Sequence, residues 1–263
     1  MWVYRTGRMY TEQPIILYEY QKTRNACHPR EFLEDFKGIC VTDGYQVYHT
    51  IENEREDLKI SGCWSHARRR FDEAVKALPK AARNGSRAYL ALGMIQAIYR
   101  EEKLLKELPS EERKLRRQLS VRPLVEAYFT WAKENIQKVP QKSKTWEDFQ
   151  YSINQEKYLK VFLDDGEVPM DNNAAEQSIR GFCIGKKNWV MIDTVAGAKS
   201  SAIIYSIAET AKANNLKPYD YFEHLLSEIP KHLDDVDRSF LEDLLPWSPN
   251  LPANCRKPVK EVK

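Results

Sequence analysis

Residues 39–44 read Ile-Cys-Val-Thr-Asp-Gly, a short apolar run that closes on an acidic residue and a glycine. A run of this kind predicts a buried β-strand, and the pair Asp43-Gly44 predicts the turn that ends it. Open α/β sheets place their chemistry at the carboxyl ends of strands. The stretch favours an α/β protein with Asp43 as a candidate site residue, against the plainer interpretation that Asp-Gly is only a turn.

The flanking sequence predicts further strands before a long helical region. Extended segments are expected at residues 1–4, 15–20 and 58–64, with a turn at 6–13 and a short helix at 29–36. Ser65 is expected to cap a helix that ends near Leu78. Apolar residues at helical spacing then predict amphipathic helices at 88–108, 111–137 and 146–163, with Pro123 marking a kink or a boundary. Such a block resembles a helical insertion between two parts of an α/β core.

The last third of the chain predicts helices separated by one extended segment. Asp171 is expected to cap a helix that runs from Asn172 to about Gly181. The extended segment is expected at 187–192, and further helices at 198–213, 219–229 and 237–245. The Pro- and Lys-rich sequence after Trp247 is expected to be disordered.

Composition excludes several classes of protein. The 263 residues are 42% hydrophobic and 30% charged, and no apolar run approaches the ~20 residues that cross a bilayer. The first residues have no signal-peptide pattern, so a cytoplasmic location is expected. Five scattered cysteines predict reduced thiols rather than a disulfide framework. Because the net charge is only +3, any nucleic-acid binding must depend on local basic clusters.

Glu176 is the second candidate for chemistry. In the predicted helix it shares a face with Asn173 and Arg180, and a carboxylate between an amide and a guanidinium suits a polar site. A surface Glu-Arg pair four residues apart is the common alternative.

Two basic segments are candidates for nucleic-acid binding. The first contains His66, Arg68 and Arg69, beside Cys63 in a C-x-x-H spacing that has no matching second pair for zinc. A structural cysteine is therefore favoured, and His66 could contact a phosphate.

The second segment has basic and aromatic residues that could hold phosphates and stack on bases, or could be a core tryptophan with solvated lysines. Its members are Lys186, Lys187, Asn188 and Trp189, with Arg180 one turn before them. The cluster from Arg113 to Arg117 is interpreted as a solvated helix face, because acidic residues nearby can pair with it.

Eight segments in order along the chain resemble the insertion-sequence-66 type (TnpC-type) transposases of bacteria. They are 2–5, 41–45 with Tyr48, 62–71, 169–176, 185–189, 205–212, 218–219 and 244–247. The resemblance covers nearly the whole chain. It implies a DNA transposase with a ribonuclease-H-like core, interrupted by a helical insertion.

The resemblance also implies a DDE active site that holds two divalent ions, Mg²⁺ or Mn²⁺, for cleavage and strand transfer at transposon ends. Asp43 corresponds to the second acid of the triad and Glu176 to the third, both as metal ligands. The implied partner is double-stranded DNA, at the transposon ends and the target, with a homo-oligomer assembled on it and no membrane.

In the family the first acid lies in a strand that precedes the one matching Trp2–Arg5. We therefore expect this chain to lack that acid, to have a core that is incomplete at its N-terminus, and not to transpose alone. Glu12 falls in a predicted turn and does not replace it. A start assigned too late and a decayed gene copy would each give such a sequence.

The expected organisation has five parts. They are residues 1–78, the first part of the core; 79–163, the helical insertion; 164–215, the second part of the core with the last acid; 216–248, a C-terminal helical segment; and 249–263, a disordered tail. Two alternatives to a catalytic fragment stay open. One is a non-catalytic remnant that binds DNA or pairs with intact transposase, and the other is a different ribonuclease-H-like nuclease, which the helical insertion and the 63–71 segment disfavour.

Overall fold

The computed structural model describes residues 1–7, 13–189 and 192–258, with the side chains of residues 186–189 outside the description. The chain forms two compact units, Met1–Thr23 with Ala174–Lys263, and Arg24–Asn173. The fold is mixed α/β, mostly helical with small sheets. Within the described residues, no helix has the length and apolar character needed to cross a membrane.

The described residues contain four strands and twelve α-helices. The strands are β1 (Trp2–Arg5), β2 (Ile16–Glu19), β3 (Gly38–Val41) and β4 (Leu58–Ser61). The helices are α1 (Cys27–Phe32), α2 (Gln46–Asn53), α3 (Trp64–Ala77), α4 (Lys80–Arg83), α5 (Arg87–Leu104), α6 (Ser110–Arg116), α7 (Arg122–Asn135), α8 (Lys144–Asn154), α9 (Glu156–Leu159), α10 (Asn173–Trp189), α11 (Val195–Ala213) and α12 (Pro218–Glu228).

In the first unit, β1 and β2 form an antiparallel pair in which Trp2 lies opposite Glu19. The outer edge of β2 is covered by α11. The backbone N–H of Ile16 donates to the Thr210 hydroxyl at 3.0 Å, and that of Tyr18 donates to the Ser206 hydroxyl at 2.8 Å. Two hydroxyls on a helix thus satisfy donors that would otherwise be exposed at a sheet edge.

In the second unit, β3 and β4 are parallel, with Val41 opposite Ser61, and α2 forms part of the crossover between them. The edge of β4 is again satisfied by a side chain, because the backbone N–H of Ile60 donates to the buried Glu52 carboxylate at 2.8 Å. The sequence predicted both strands but not α2. This helix is held to β4 by the Glu52 hydrogen bond and by burial of Ile51.

The core of the second unit is helical from α3 to α9. Trp64 and Phe71 on α3 pack with Tyr128 and Phe149 in one buried cluster, and the Trp64 indole N–H donates to the backbone oxygen of Leu159 at 2.8 Å. The predicted helical character of residues 79–163 is confirmed. The break expected at Pro123 lies just before it, as a π-helical turn over Arg117–Val121.

The interpretation of Arg113 and Arg117 as solvated was wrong. Both are buried. Arg113 donates to four backbone oxygens, those of Leu105, Lys106, Leu108 and Gly166. Arg117 donates to the Glu102 carboxylate and to the backbone oxygens of Phe162, Asp165 and Val168. Arg117 thus supplies donors to the backbone of residues 162–168, and Arg113 joins that segment, at Gly166, to the residues that follow α5.

The C-terminal sequence also departs from expectation. Residues 249–258 were predicted to be disordered, yet they are folded. Leu251 is buried with Leu216 and Tyr221, Cys255 is buried as well, and the backbone N–H of Lys217 donates to the Cys255 oxygen at 2.8 Å. The apolar side chains between the prolines and lysines provide this packing. Residues 259–263 lie outside the described residues.

Candidate active site

Asp43 follows β3, in the second unit, and its side chain is exposed. One carboxylate oxygen accepts a hydrogen bond from the backbone N–H of Tyr45 at 3.1 Å, which forms the turn that leads into α2. Gly44 has a φ of +82°, a left-handed conformation that glycine adopts without steric cost. The strand and the turn therefore orient the carboxylate at the carboxyl end of the sheet, as the sequence predicted.

The wall beside this turn comes from α8. A Cβ atom built on Gly44 would lie 3.2 Å from the Tyr151 hydroxyl and 3.6 Å from the side-chain oxygen of Gln155. The pKa of Tyr151 is raised to about 12, chiefly by burial, with smaller contributions from Cys63 and Asp43 that Arg70 opposes. The phenol therefore keeps its proton beside Asp43. Neither Tyr151 nor Gln155, which follows α8, was singled out from the sequence, because only the fold brings them to the turn.

The structure brings two of the predicted motifs together within the second unit. The backbone N–H of Trp64 donates to the Met170 oxygen at 3.0 Å, and that of Asn172 donates to the Cys63 sulfur at 3.1 Å. Burial raises the pKa of the Cys63 thiol, so the sulfur stays protonated and packs as a structural group. This supports the structural interpretation of Cys63. The predicted cap is wrong in detail, because α3 begins at Trp64, with Cys63 rather than Ser65 before it.

The basic residues of α3 lie on its solvent side. Arg68 and Arg69 are exposed and His66 is half-buried. The Arg68 guanidinium stacks 5.4 Å from the centre of the Tyr99 ring, and the Tyr99 hydroxyl donates to the Asp171 carboxylate at 3.3 Å. Arg68 is thereby held near the segment that precedes α10.

Glu176 lies in the first turn of α10, in the first unit, and is half-buried. The helix begins at Asn173, whose backbone N–H donates to the Asp171 carboxylate at 3.1 Å. The Arg5 guanidinium donates to the Ala174 oxygen at 3.0 Å, and the Tyr18 hydroxyl donates to the Ser178 oxygen at 2.7 Å. These bonds fix the first turns of α10 on β1 and β2.

The face predicted from spacing is present, because Asn173 and Arg180 are exposed beside the half-buried Glu176. The helix end predicted at Gly181 is wrong, since α10 continues to Trp189. Ile179 and Phe182 pack against the cluster around Tyr18 on both sides of that glycine, so burial outweighs the helix-weakening effect of glycine.

The second basic segment is helical in its backbone rather than extended from 187 to 189. The side chains of Lys186, Lys187, Asn188 and Trp189 lie outside the described residues, as do residues 190 and 191. Asp43 and Glu176 lie in different compact units, and each is positioned by contacts within its own unit.

Comparison with known proteins identifies two family segments. The model described as "Transposase IS66 family", a DDE family, matches residues 1–200, and the one described as "IS66 C-terminal element" matches residues 206–247. No solved structure gives a significant match.

Three curated relatives come from Sinorhizobium fredii (strain NBRC 101917 / NGR234). "Uncharacterized protein y4qI" is 29% identical over 94% of this chain and 46% of its own length. "Uncharacterized protein y4jD" is 27% identical over 89% of this chain and 46% of its own length. "Uncharacterized protein y4hP" is 27% identical over 90% of this chain and 44% of its own length. The chain therefore spans about half the length of these relatives.

The first family match covers more than half of the 263 residues and includes both candidate carboxylates. The chain belongs to the IS66 family of DDE transposases.

Proposed function

We propose that this chain carries the catalytic region of a transposase that cleaves DNA at transposon ends and joins it to a target. Asp43 is the second acid of its DDE site and Glu176 the third. The observation that carries the proposal is the family match over residues 1–200, which contains both acids.

The proposed core is ribonuclease-H-like, with α4 to α9 as the helical insertion. An antiparallel β1–β2 pair followed along the chain by the parallel β3–β4 pair supports this assignment. The segment between β4 and α10, all of it within the described residues, has helices and no strand, which also supports it.

The two carboxylates fit divalent-metal ligation by their chemistry. Mg²⁺ and Mn²⁺ prefer oxygen ligands. Asp43 is exposed and has no ion-pair partner among residues 1–7, 13–189 and 192–258, and the Tyr45 N–H occupies one of its oxygens, leaving the other for an ion. When bound, two such ions activate the attacking hydroxyl and stabilise the leaving oxygen of a phosphodiester.

The remaining roles belong to the residues that hold the acids and the DNA. Tyr45 orients Asp43, and Arg5 and Tyr18 hold the helix that bears Glu176. The proposed phosphate contacts come from basic residues, and Trp189 and Asn188 are proposed to meet bases. The proposed phosphate-contacting set is His66, Arg68, Arg69, Arg180, Lys186 and Lys187. We propose that the active form is a homo-oligomer on paired DNA ends.

The experiment compares DNA binding with Mg²⁺-dependent cleavage for Glu176→Gln in a full-length transposase, meaning one that spans the whole length of the curated relatives. We expect cleavage to be lost while binding is kept, because the substitution removes a ligand charge and preserves shape. The control is Glu223→Gln, an exposed residue of α12, which should cleave normally. Cleavage by Glu176→Gln would refute the assignment. Binding without cleavage by the wild-type protein would favour a non-catalytic DNA-binding protein.

The lysine contacts have a separate readout. Each phosphate contact adds close to one unit to the slope of log affinity against log salt concentration. Replacing Lys186 and Lys187 by glutamine should therefore flatten that slope by about two. An unchanged slope would remove both lysines from the DNA interface.

A further inference from the structure

Two side chains of the second unit, Arg70 and Tyr151, lie in series beside the turn that carries Asp43. The Arg70 guanidinium lies 4.4 Å from the centre of the Tyr151 ring, and the Tyr151 hydroxyl lies against Gly44. Arg70 follows Arg68 and Arg69 in the basic segment of α3, and the sequence did not single it out as a candidate site residue. Stacking on an aromatic face is a geometry that guanidinium groups favour.

Arg70 is held in this position from the other side by a buried acid. It donates to the Asp148 carboxylate at 3.3 Å, and the Asp148 side chain is fully buried whereas that of Arg70 is 38% exposed. Lys144 also pairs with Asp148, at 3.1 Å. Because Asp148 carries one negative charge and pairs with two cations, Arg70 and Lys144, the cluster has a net positive charge. The partly exposed Arg70 places that charge on the side of the negative Asp43.

The donors of this cluster are largely unused. A guanidinium has five N–H donors, and among the described residues Arg70 uses one, on Asp148. A protonated hydroxyl and a pre-oriented guanidinium at the turn of an exposed carboxylate form a site for a phosphate oxygen.

We propose that Arg70 and Tyr151 bind a backbone phosphate of the DNA strand beside Asp43, so that they are positioning residues for the reacting phosphodiester. Arg70 supplies the charge and Tyr151 a neutral O–H donor, while Asp148 fixes the direction of Arg70. This inference rests on the proposed function for its meaning in catalysis, but the phosphate contact itself is measured by binding alone.

The experiment measures the affinity of the full-length transposase for a fluorescein-labelled DNA duplex across a series of salt concentrations, without divalent metal. Arg70→Gln should reduce the slope of log affinity against log salt by about one, whereas Arg70→Lys should keep the slope. Tyr151→Phe should lower affinity about 10- to 100-fold at every salt concentration, with no change in slope, because it removes a neutral donor to a charged group.

Matched controls are Arg100→Gln and Tyr89→Phe, two exposed residues of α5, which should leave affinity and slope unchanged. Tyr151→Phe keeps the ring on which Arg70 stacks, so its folding should match the wild type, and circular dichroism checks this for each variant. Wild-type slope and affinity in both Arg70→Gln and Tyr151→Phe would overturn the proposal, as would absence of duplex binding by the wild type. Failure of the proposed function would appear separately, as normal duplex binding with no Mg²⁺-dependent cleavage.

Discussion

Arg117 provides a test of how the second unit is held together. Its side chain is fully buried and pairs with Glu102, which is 12% exposed, and it donates to three backbone oxygens between Phe162 and Val168. Replacement by methionine keeps most of the volume but leaves a buried acid and three acceptors without their donor. Breaking a buried pair in this way costs about 3–5 kcal/mol.

That loss is a large share of the ~5–15 kcal/mol that stabilises a typical domain. The assay is urea unfolding followed by tryptophan fluorescence, with the unfolding free energy taken from the midpoint and slope. The control is Arg116→Met on the preceding residue, whose side chain is 58% exposed and lies 3.9 Å from Glu112. An exposed pair contributes about 0–1 kcal/mol, so the control should change little. Equal destabilisation by the two variants would refute the anchoring role of Arg117.

Two further predictions concern glycine packing and pH. Gly166→Ala should destabilise the protein by roughly 1–3 kcal/mol or more, because the new Cβ would lie 1.9 Å from the Ser110 oxygen. Gly93 lies in the middle of α5, and a Cβ there would meet no other atom within 4 Å, so Gly93→Ala should stabilise the protein by roughly 0.5–1 kcal/mol. Thermal unfolding measures both effects, and a higher melting temperature for Gly166→Ala than for Gly93→Ala would contradict both predictions. Burial lowers the pKa of His49 below its usual 6.5, so the unfolded chain binds more protons as pH falls. The unfolding free energy should therefore be constant above pH 6.5 and decrease as pH drops from there towards the lowered pKa. His49→Phe, which keeps the stack on Tyr158, should flatten that decrease, and an unchanged pH profile would exclude His49 as its source.

The parts of the fold that the sequence predicted depend on local signals. The β3 strand and its turn follow from an apolar run that closes on Asp43-Gly44, and α11 ends at Ala213 before the Asn pair, with Asn215 at a φ of 60°. Turn chemistry of this kind is contained in a few adjacent residues.

The parts that were missed depend on contacts between distant residues. Arg117 looks like a surface residue until the 162–168 segment supplies its acceptors. Gly181 predicts a helix end from the sequence, but the packing of Phe182 beside Tyr18 keeps α10 helical there. No spacing along the chain links Asp43 with Tyr151, since only the tertiary fold brings α8 beside the turn.

The candidate site likewise combines features that the sequence predicted and contacts that only the fold provides. Spacing alone gave Glu176 a polar face but no function, and the ordered motifs of the family supplied its proposed role as an acid of the DDE site. The structure adds the contacts that orient each acid, namely the Tyr45 N–H on Asp43 and the bonds from Arg5 and Tyr18 to α10.

The central claim is that Asp43 and Glu176 hold divalent ions, and metal binding tests it most directly. Electron paramagnetic resonance measures free Mn²⁺ in the presence of the full-length transposase and duplex DNA. We expect the wild type to bind Mn²⁺, both Asp43→Asn and Glu176→Gln to bind it much more weakly, and Asp72→Asn, a surface substitution on α3 paired with Lys76, to match the wild type. Equal Mn²⁺ binding by the wild type and the two acid variants would contradict the account.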